Sequence, residues 1–309
     1  MMGRRWLIPQ LSLGAALVLC AVAVAQEQAP PQLQVTAVAP NIHLLAEAGG
    51  NICLFIGDDG ALLIDGGVTP QAPNVLAAVK EKTDKPLRFV INTHWHFDHT
   101  GGNQALAEAG AQIIAHENVY KRMSSEQVLG GFERRMPPAP PAALPKMTYA
   151  KEMTLHWNSE VVRISHIEPA HSDGDSVVLF ERAHVLHTGD VFFNGVYPYI
   201  DANAGGSIDG MIAAVDRVLE MARPDTKIIP GHGPLATPDD LRAYRQMLTT
   251  VRERVQSLVR AGKTRDEVLA AKPTSDLDEK WGHGGIEPDL FVGAVYAGMT
   301  SPRPSGPGR

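Results

Sequence analysis

Six consecutive residues, His94-Trp95-His96-Phe97-Asp98-His99, carry four side chains that can donate an electron pair to a cation. On an extended chain, side chains at i and i+2 share a face, so His94 and His96 point the same way. Asp98 and His99 follow where the apolar run 88–93 (RFVINT) gives way to a loop, and they can turn toward a neighbouring point. Four such groups beside a buried strand are costly as plain core, because each needs a partner for its ring nitrogens or carboxylate. Three further side chains extend the set. His171 lies in Pro169-Ala170-His171-Ser172-Asp173-Gly174, Asp190 in His187-Thr188-Gly189-Asp190, and His232 in Pro230-Gly231-His232-Gly233. All sit at strand-to-loop transitions, which in layered α/β folds gather at one edge of the sheets. Imidazoles and carboxylates without thiolate suit zinc, with iron or manganese as alternatives.

The elements that must position these groups are legible in outline. Apolar runs at 51–56 and 61–65 flank Asp59-Gly60, a hairpin signal. Val75, Leu76 and Val79 predict a short helix, 88–93 a buried strand, 101–109 a helix and 111–115 another strand. The segment 137–145 (PPAPPAALP) lacks the donors that helix and sheet need, and is read as a surface loop able to lean over a site. Strands are predicted over 161–167, 176–180, 184–187 and 227–229. Ser207 caps a helix with Ile208, Met211, Ile212, Val215 and Leu219 on one face. Thr237-Pro238 opens a long helix, Thr264 to Glu267 is a capping box, and 288–299 closes the chain helically. Strands mixed with helices throughout predict an α/β protein whose sheets lie inside helical layers.

The ordered set resembles the metallo-β-lactamase-fold hydrolase superfamily: an HxHxDH signature, followed by a His, an Asp and a final His. The resemblance spans about 41–233. It implies an αββα four-layer sandwich with a dinuclear metal centre at one sheet edge. It implies His94, His96 and His171 on one metal, Asp98, His99 and His232 on the other, and Asp190 bridging the two. Asp65 matches the family's early structural Asp, which supports ligands and is not one itself. Two zinc ions sharing a water would lower its pKa toward neutrality, so that a bridging hydroxide attacks a carbonyl, with Asp98 orienting it. An Asp at 190 differs from the Cys that two subclasses of true metallo-β-lactamases place on the second metal. His99 combined with Asp190 is more similar to glyoxalase II, lactonases and related exported hydrolases. The expected substrates are β-lactam-like amides, lactones or esters. A glyoxalase II-like thioester hydrolase and a di-iron non-hydrolytic enzyme are the alternatives. No equivalent of a glutathione-binding C-terminal domain is recognisable.

The remaining features bound this expectation. The 309 residues are 44% apolar and 20% charged, as in ordinary globular proteins. A net charge of −6 leaves no basic footprint for nucleic acid, so the expected partner is a small-molecule substrate. Arg4 and Arg5, the apolar run 11–25 and Ala23-Val24-Ala25 read as a secretory signal peptide over 1–25, cleaved before Gln26. The mature protein is therefore expected to be secreted or periplasmic, with no stable membrane anchor. Gln/Pro/Ala-rich 26–40 is read as a flexible leader, and 41–309 as one domain of this fold with a helical C-terminal extension. Cys20 leaves with the signal, and Cys53 is read as a small core residue. Seven of the 12 histidines (His43, His116, His156, His166, His184, His187 and His283) lie outside the ordered pattern and are read as structural. His187 is a candidate support for Asp190. Trp95 and Phe97 are expected to point into the sandwich, and Asn194, Tyr197 and Tyr199 to lie in a loop near the pocket.

Overall fold

The computed structural model describes residues 32–300, so the signal segment 1–25 lies outside the described residues. Strands β1 (Gln34–Ala39), β2 (Ile42–Ala46), β3 (Ile52–Phe55) and β4 (Ala61–Ile64) form an antiparallel meander. The turn into β4 places Gly60 at φ 125°, a region closed to side chains. After helix α1 (Ala72–Lys82), β5 (Leu87–Ile91) joins parallel to β4. Short helices α2 (Phe97–Thr100) and α3 (Asn103–Glu108) lead to β6 (Gln112–His116), again parallel. Helix α4 (Glu117–Met123) precedes a separate hairpin, β7 (Gln127–Leu129) and β8 (Arg134–Met136). Strand β9 (Met147–Tyr149) then closes a seven-stranded sheet in the order β1-β2-β3-β4-β5-β6-β9.

The second sheet has five strands in sequence order: β10 (Glu152–Trp157), β11 (Glu160–His166), β12 (Ser176–Phe180), β13 (Val185–His187) and β14 (Lys227–Ile229). Helix α5 (Ile208–Met221) makes the crossover between the parallel pair β13 and β14. Helices α6 (Pro238–Arg260), α7 (Arg265–Ala270), α8 (Asp278–Trp281) and α9 (Pro288–Thr300) complete the described chain. The caps fall where the sequence places them. Ser207 Oγ accepts from Gly210 N, and Thr237 and Thr264 each form a reciprocal capping box.

Side-chain alternation divides the apolar residues into layers. In β4, Leu62 and Ile64 face the second sheet and meet Val162, Ile164, Val178 and Phe180. Ala61 and Leu63 face the other way, onto Val75 and Val79 of α1 and Leu106 of α3. In the second sheet Val185 and Ile229 turn inward, while Leu186 and Ile228 meet the α5 and α6 side. Strands buried on both faces explain why these runs are continuously apolar rather than alternating. The result is the αββα sandwich. Cys53 is fully buried between the sheets, and burial pushes its thiol pKa up, so it is inert packing.

Three expectations change. The stretch read as a flexible leader over 26–40 contains β1, an edge strand held by backbone pairing to β2 rather than by burial. Exposed QVTA offers no apolar pattern that would reveal it. Phe97 begins α2 instead of continuing an extended chain, so only Trp95 enters the core, and Phe97 stays half-buried at a cavity wall. Segment 137–145 is irregular as predicted, but it borders a neighbouring cavity with Trp95 and Phe97. The β7–β8 hairpin just before it is what leans over the metal-binding residues. Among the described residues, no helix is long and apolar enough to cross a membrane.

Candidate metal centre

The parallel strands set the site. Beyond the C-terminal end of β5 the chain carries His94 to His99; beyond β13 it carries Asp190, and beyond β14 His232. His171 comes from the loop between β11 and β12. The seven predicted side chains converge in two groups. His94, His96, His171 and Asp190 form one, and Asp98, His99 and His232 the other, with ligand atoms in each group within 4.8 Å of one another. Asp190 joins them. Its Oδ2 lies 3.6 Å from His94 Nε2 and 3.4 Å from His171 Nε2, while its Oδ1 lies 3.1 Å from His99 Nε2 and 3.5 Å from His232 Nε2. Asp98 Oδ2 lies 3.2 Å from His232 Nε2 and 3.6 Å from His99 Nε2.

Outer partners assign the ring protons. His171 Nδ1 lies 2.8 Å from the Tyr199 carbonyl, which only accepts, so Nδ1 carries the proton. His96 Nε2 donates to Asp201 Oδ2 (3.0 Å), and His99 Nδ1 to Asp65 Oδ2 (2.8 Å). Thr93 Oγ1 gives its own proton to Asp65 Oδ2, so it accepts from His94 Nδ1 at 3.0 Å. In neutral rings the inward nitrogens of His94, His96, His99 and His171 are then bare lone pairs. His96 Nδ1 and His171 Nε2 face each other at 2.8 Å, and His99 Nε2 and His232 Nε2 at 3.4 Å. His94 Nε2 and Asp190 Oδ1 are buried with no hydrogen-bond partner. Electron pairs crowded this closely need cations among them, so the residues fit a metal pair.

Without such cations, protons carry the positive charge. Burial opposes charging His232, but Asp190 and Asp98 outweigh it and raise its pKa to about 9. Burial likewise opposes a charge on His99, and Asp190, Asp98 and Asp65 hold its pKa up. His94 and His171 are pushed down, chiefly by burial. Asp98 and Asp190 resist burial and stay ionised because imidazoles, His99 first, surround them.

The backbone is shaped around these groups. Asp65 sits at φ 67° directly after β4, a left-handed conformation costing about 1 kcal/mol outside glycine. That bend lets one carboxylate hold Thr93 N, Thr93 Oγ1 and His99 together. A Cβ on Gly231 would collide with Asp190 Oδ1, so only glycine fits there. Asn51 ties its loop to the His232 loop through the carbonyls of Pro230 (2.9 Å) and Gly233 (2.8 Å). His187 braces the backbone just before Asp190, bonding Asn51 O and accepting from Gly189 N. Among the described residues, none of the seven other histidines joins a metal-capable group.

A cavity of about 520 Å³ opens over the cluster. Leu129, Phe132, Phe193, Val196 and Ile286 supply apolar wall, and Arg134 stands among them. Tyr197 and Tyr199 line it and are structural as well: Tyr197 Oη donates to Asp278 and Tyr199 Oη to Gly130 O. Asn194 instead bonds Pro234 O. Sequence reasoning missed Asp201, the β7–β8 wall and the Gly285-Ile286 wall. Asp201 is an isolated Asp in a loop, and no spacing connects it with His96, which lies 105 residues away. Asp201→Asn is expected to weaken metal binding ten- to a hundredfold by freeing the His96 ring. Competition against a chromogenic chelator measures this, and unchanged affinity would show that His96 needs no such support.

Comparison with known proteins agrees with this geometry. Residues 46–232 match the family model described as the metallo-beta-lactamase superfamily. The hydroxyacylglutathione hydrolase GloC of Haemophilus influenzae is 27% identical over 191 residues, 60% of this chain and 86% of that protein. A metallo-beta-lactamase structure from Pontibacter korlensis aligns with a TM-score of 0.58 at 18% identity, covering 71% of this chain and 99% of that one. The sec-alkylsulfatase Pisa1 from Pseudomonas sp. aligns with a TM-score of 0.66 at 19% identity, covering 86% of this chain. This chain spans only 50% of that sulfatase. At such identities the structural likenesses speak to the fold alone.

Proposed function

This chain belongs to the metallo-beta-lactamase superfamily and is a metal-dependent hydrolase, and from that premise we propose that it is an exported dinuclear-zinc enzyme that opens carbonyl substrates. The substrates proposed are esters, lactones or β-lactam-like amides. The observation that carries this is the pairing of two lone-pair clusters through the two oxygens of Asp190. Two zinc ions held there would supply a hydroxide at neutral pH and polarise a carbonyl oxygen. His94, His96 and His171 would hold one ion, Asp98, His99 and His232 the other, and Asp190 both.

The chain's own residues do the rest. Asp98 is the carboxylate of the second group that is partly open to the cavity, placed to accept a proton from an attacking water and to orient it. Phe193 stacks on the His232 ring at 5.0 Å and steadies it. The apolar walls exclude bulk water from the acyl group and strengthen electrostatics at the reacting carbonyl. A thioester hydrolase is the second reading, favoured by the similarity to a hydroxyacylglutathione hydrolase. The test uses protein recovered from the periplasm of a bacterial host, its intact mass expected to begin at Gln26. A β-lactam, a lactone, an ester and a thioester are assayed with metal content measured on the same sample. About two zinc per chain with turnover of the ester, lactone or lactam is expected. Turnover of the thioester alone selects the second reading. Bound zinc with no turnover of any substrate would overturn both, and iron with visible absorption would replace zinc by a di-iron centre.

A further inference from the structure

We propose that Arg134 is a specificity-determining residue that selects acyl substrates bearing a carboxylate at the far end of the acyl group; this rests on the hydrolase reading above. The cavity's polar side chains are few. His96, Asp98, Asp190 and His232 belong to the metal-binding clusters. The two tyrosine hydroxyls are already donating, Tyr197 to Asp278 Oδ1 at 2.9 Å and Tyr199 to Gly130 O at 2.7 Å. What remains is one guanidinium with every N–H unspent. Neighbouring arginines are neutralised: Arg122 forks onto Asp173 at 2.6 and 2.7 Å, and Arg135 Nη1 meets Glu126 at 2.7 Å. Arg134 has no carboxylate or hydrogen-bond partner among the described residues.

Arg134 is an exposed residue of β8, and aromatic stacking orients it. The guanidinium carbon lies 4.2 Å from the centroid of the Phe97 ring. Stacking on the face of an aromatic leaves the in-plane N–H groups free for a bidentate carboxylate. The hairpin carrying it is pinned at the tip, by Tyr199 Oη to Gly130 O and by Asn203 Nδ2 to Val128 O at 3.2 Å. The Phe132 ring packs on Tyr199 with centroids 5.2 Å apart. A cation already resting on a ring before substrate arrives loses less entropy on binding than a free side chain, which favours its use in recognition. Phe97 directly precedes Asp98, so the anion-binding group stands beside the cluster with apolar wall around it. The matching ligand is a short apolar acyl chain that ends in a carboxylate.

The test compares glutaryl and pentanoyl phenyl esters, which share chain length and differ in the terminal charge. The ratio of their kcat/KM values is read in the wild type, Arg134→Met, Arg134→Glu and Arg135→Met, with melting temperatures confirming folding. Wild type should prefer the glutaryl ester. Arg134→Met should lower the ratio about tenfold, the size expected for an exposed charge-assisted contact, and Arg134→Glu should lower it further. Arg135→Met removes a charge outside the cavity and should leave the ratio unchanged. A folded Arg134→Met enzyme with the wild-type ratio would overturn the proposal and leave the hydrolase reading standing. If neither ester is turned over, the hydrolase reading fails as regards esters. Calorimetry with glutarate and pentanoate then decides Arg134 alone: tighter glutarate binding that Arg134→Met abolishes supports it, and equal affinities in wild type overturn it.

Discussion

Asp98→Ala is expected to cut kcat/KM by about a thousandfold or more while the protein remains folded. A positioned proton acceptor contributes roughly 10²–10⁴ in rate, and about 4 kcal/mol corresponds to a thousandfold. The Asp98 side chain is 21% exposed on the cavity side, whereas the Asp190 side chain is only 4% exposed between the clusters. The same substitution strips the second group to His99 and His232, so bound metal should fall from about two ions to about one. The first group keeps His94, His96, His171 and Asp190. His283→Ala, an exposed residue outside the clusters, is the control and should retain activity and metal. Kinetics and metal content measured on both variants decide the matter; equal losses in the two would remove Asp98 from the chemistry.

Chelation is expected to lower the melting temperature by about 10 °C. A ligand at a thousand times its Kd stabilises the native state by about 4 kcal/mol, and each kcal/mol moves the transition by about 2–4 °C in a chain of this size. The effect is large here because the clusters tie together segments distant in sequence: 94–99, His171, Asp190 and His232. Removing the ions leaves His96 Nδ1 against His171 Nε2 and leaves His94 Nε2 and Asp190 Oδ1 buried without partners. Those atoms must then take up protons or move apart, and either weakens the edge of the sandwich. Scanning calorimetry with and without chelator, followed by zinc readdition, reads the shift. An unchanged transition in protein known to have carried metal would mean that the edge is rigid without it.

Much of the site was readable before any fold was known, and the reason is local. His94 to His99 fall within one strand end, and His171, Asp190 and His232 each sit in a short loop after or between apolar runs. In layered α/β folds such loops gather at one sheet edge. The layers followed from the same signal, since strands buried on both faces carry unbroken apolar runs. The capping residues Ser207, Thr237 and Thr264 marked helix starts because a side-chain oxygen satisfies a free backbone N–H wherever the helix lies.

What the amino-acid order determined by itself was therefore seven candidate ligands at strand ends and an α/β layering, both written in short-range spacing and side-chain polarity. The αββα sandwich and the division of the seven into two groups came from the resemblance to the metallo-β-lactamase superfamily. Tertiary structure alone decided the surroundings. It chose Asp201 to orient His96 across 105 residues, turned Phe97 out of the core, and set the β7–β8 hairpin, not segment 137–145, over the cavity. Such contacts are made by residues remote in sequence, and no periodicity of one segment encodes where another will meet it.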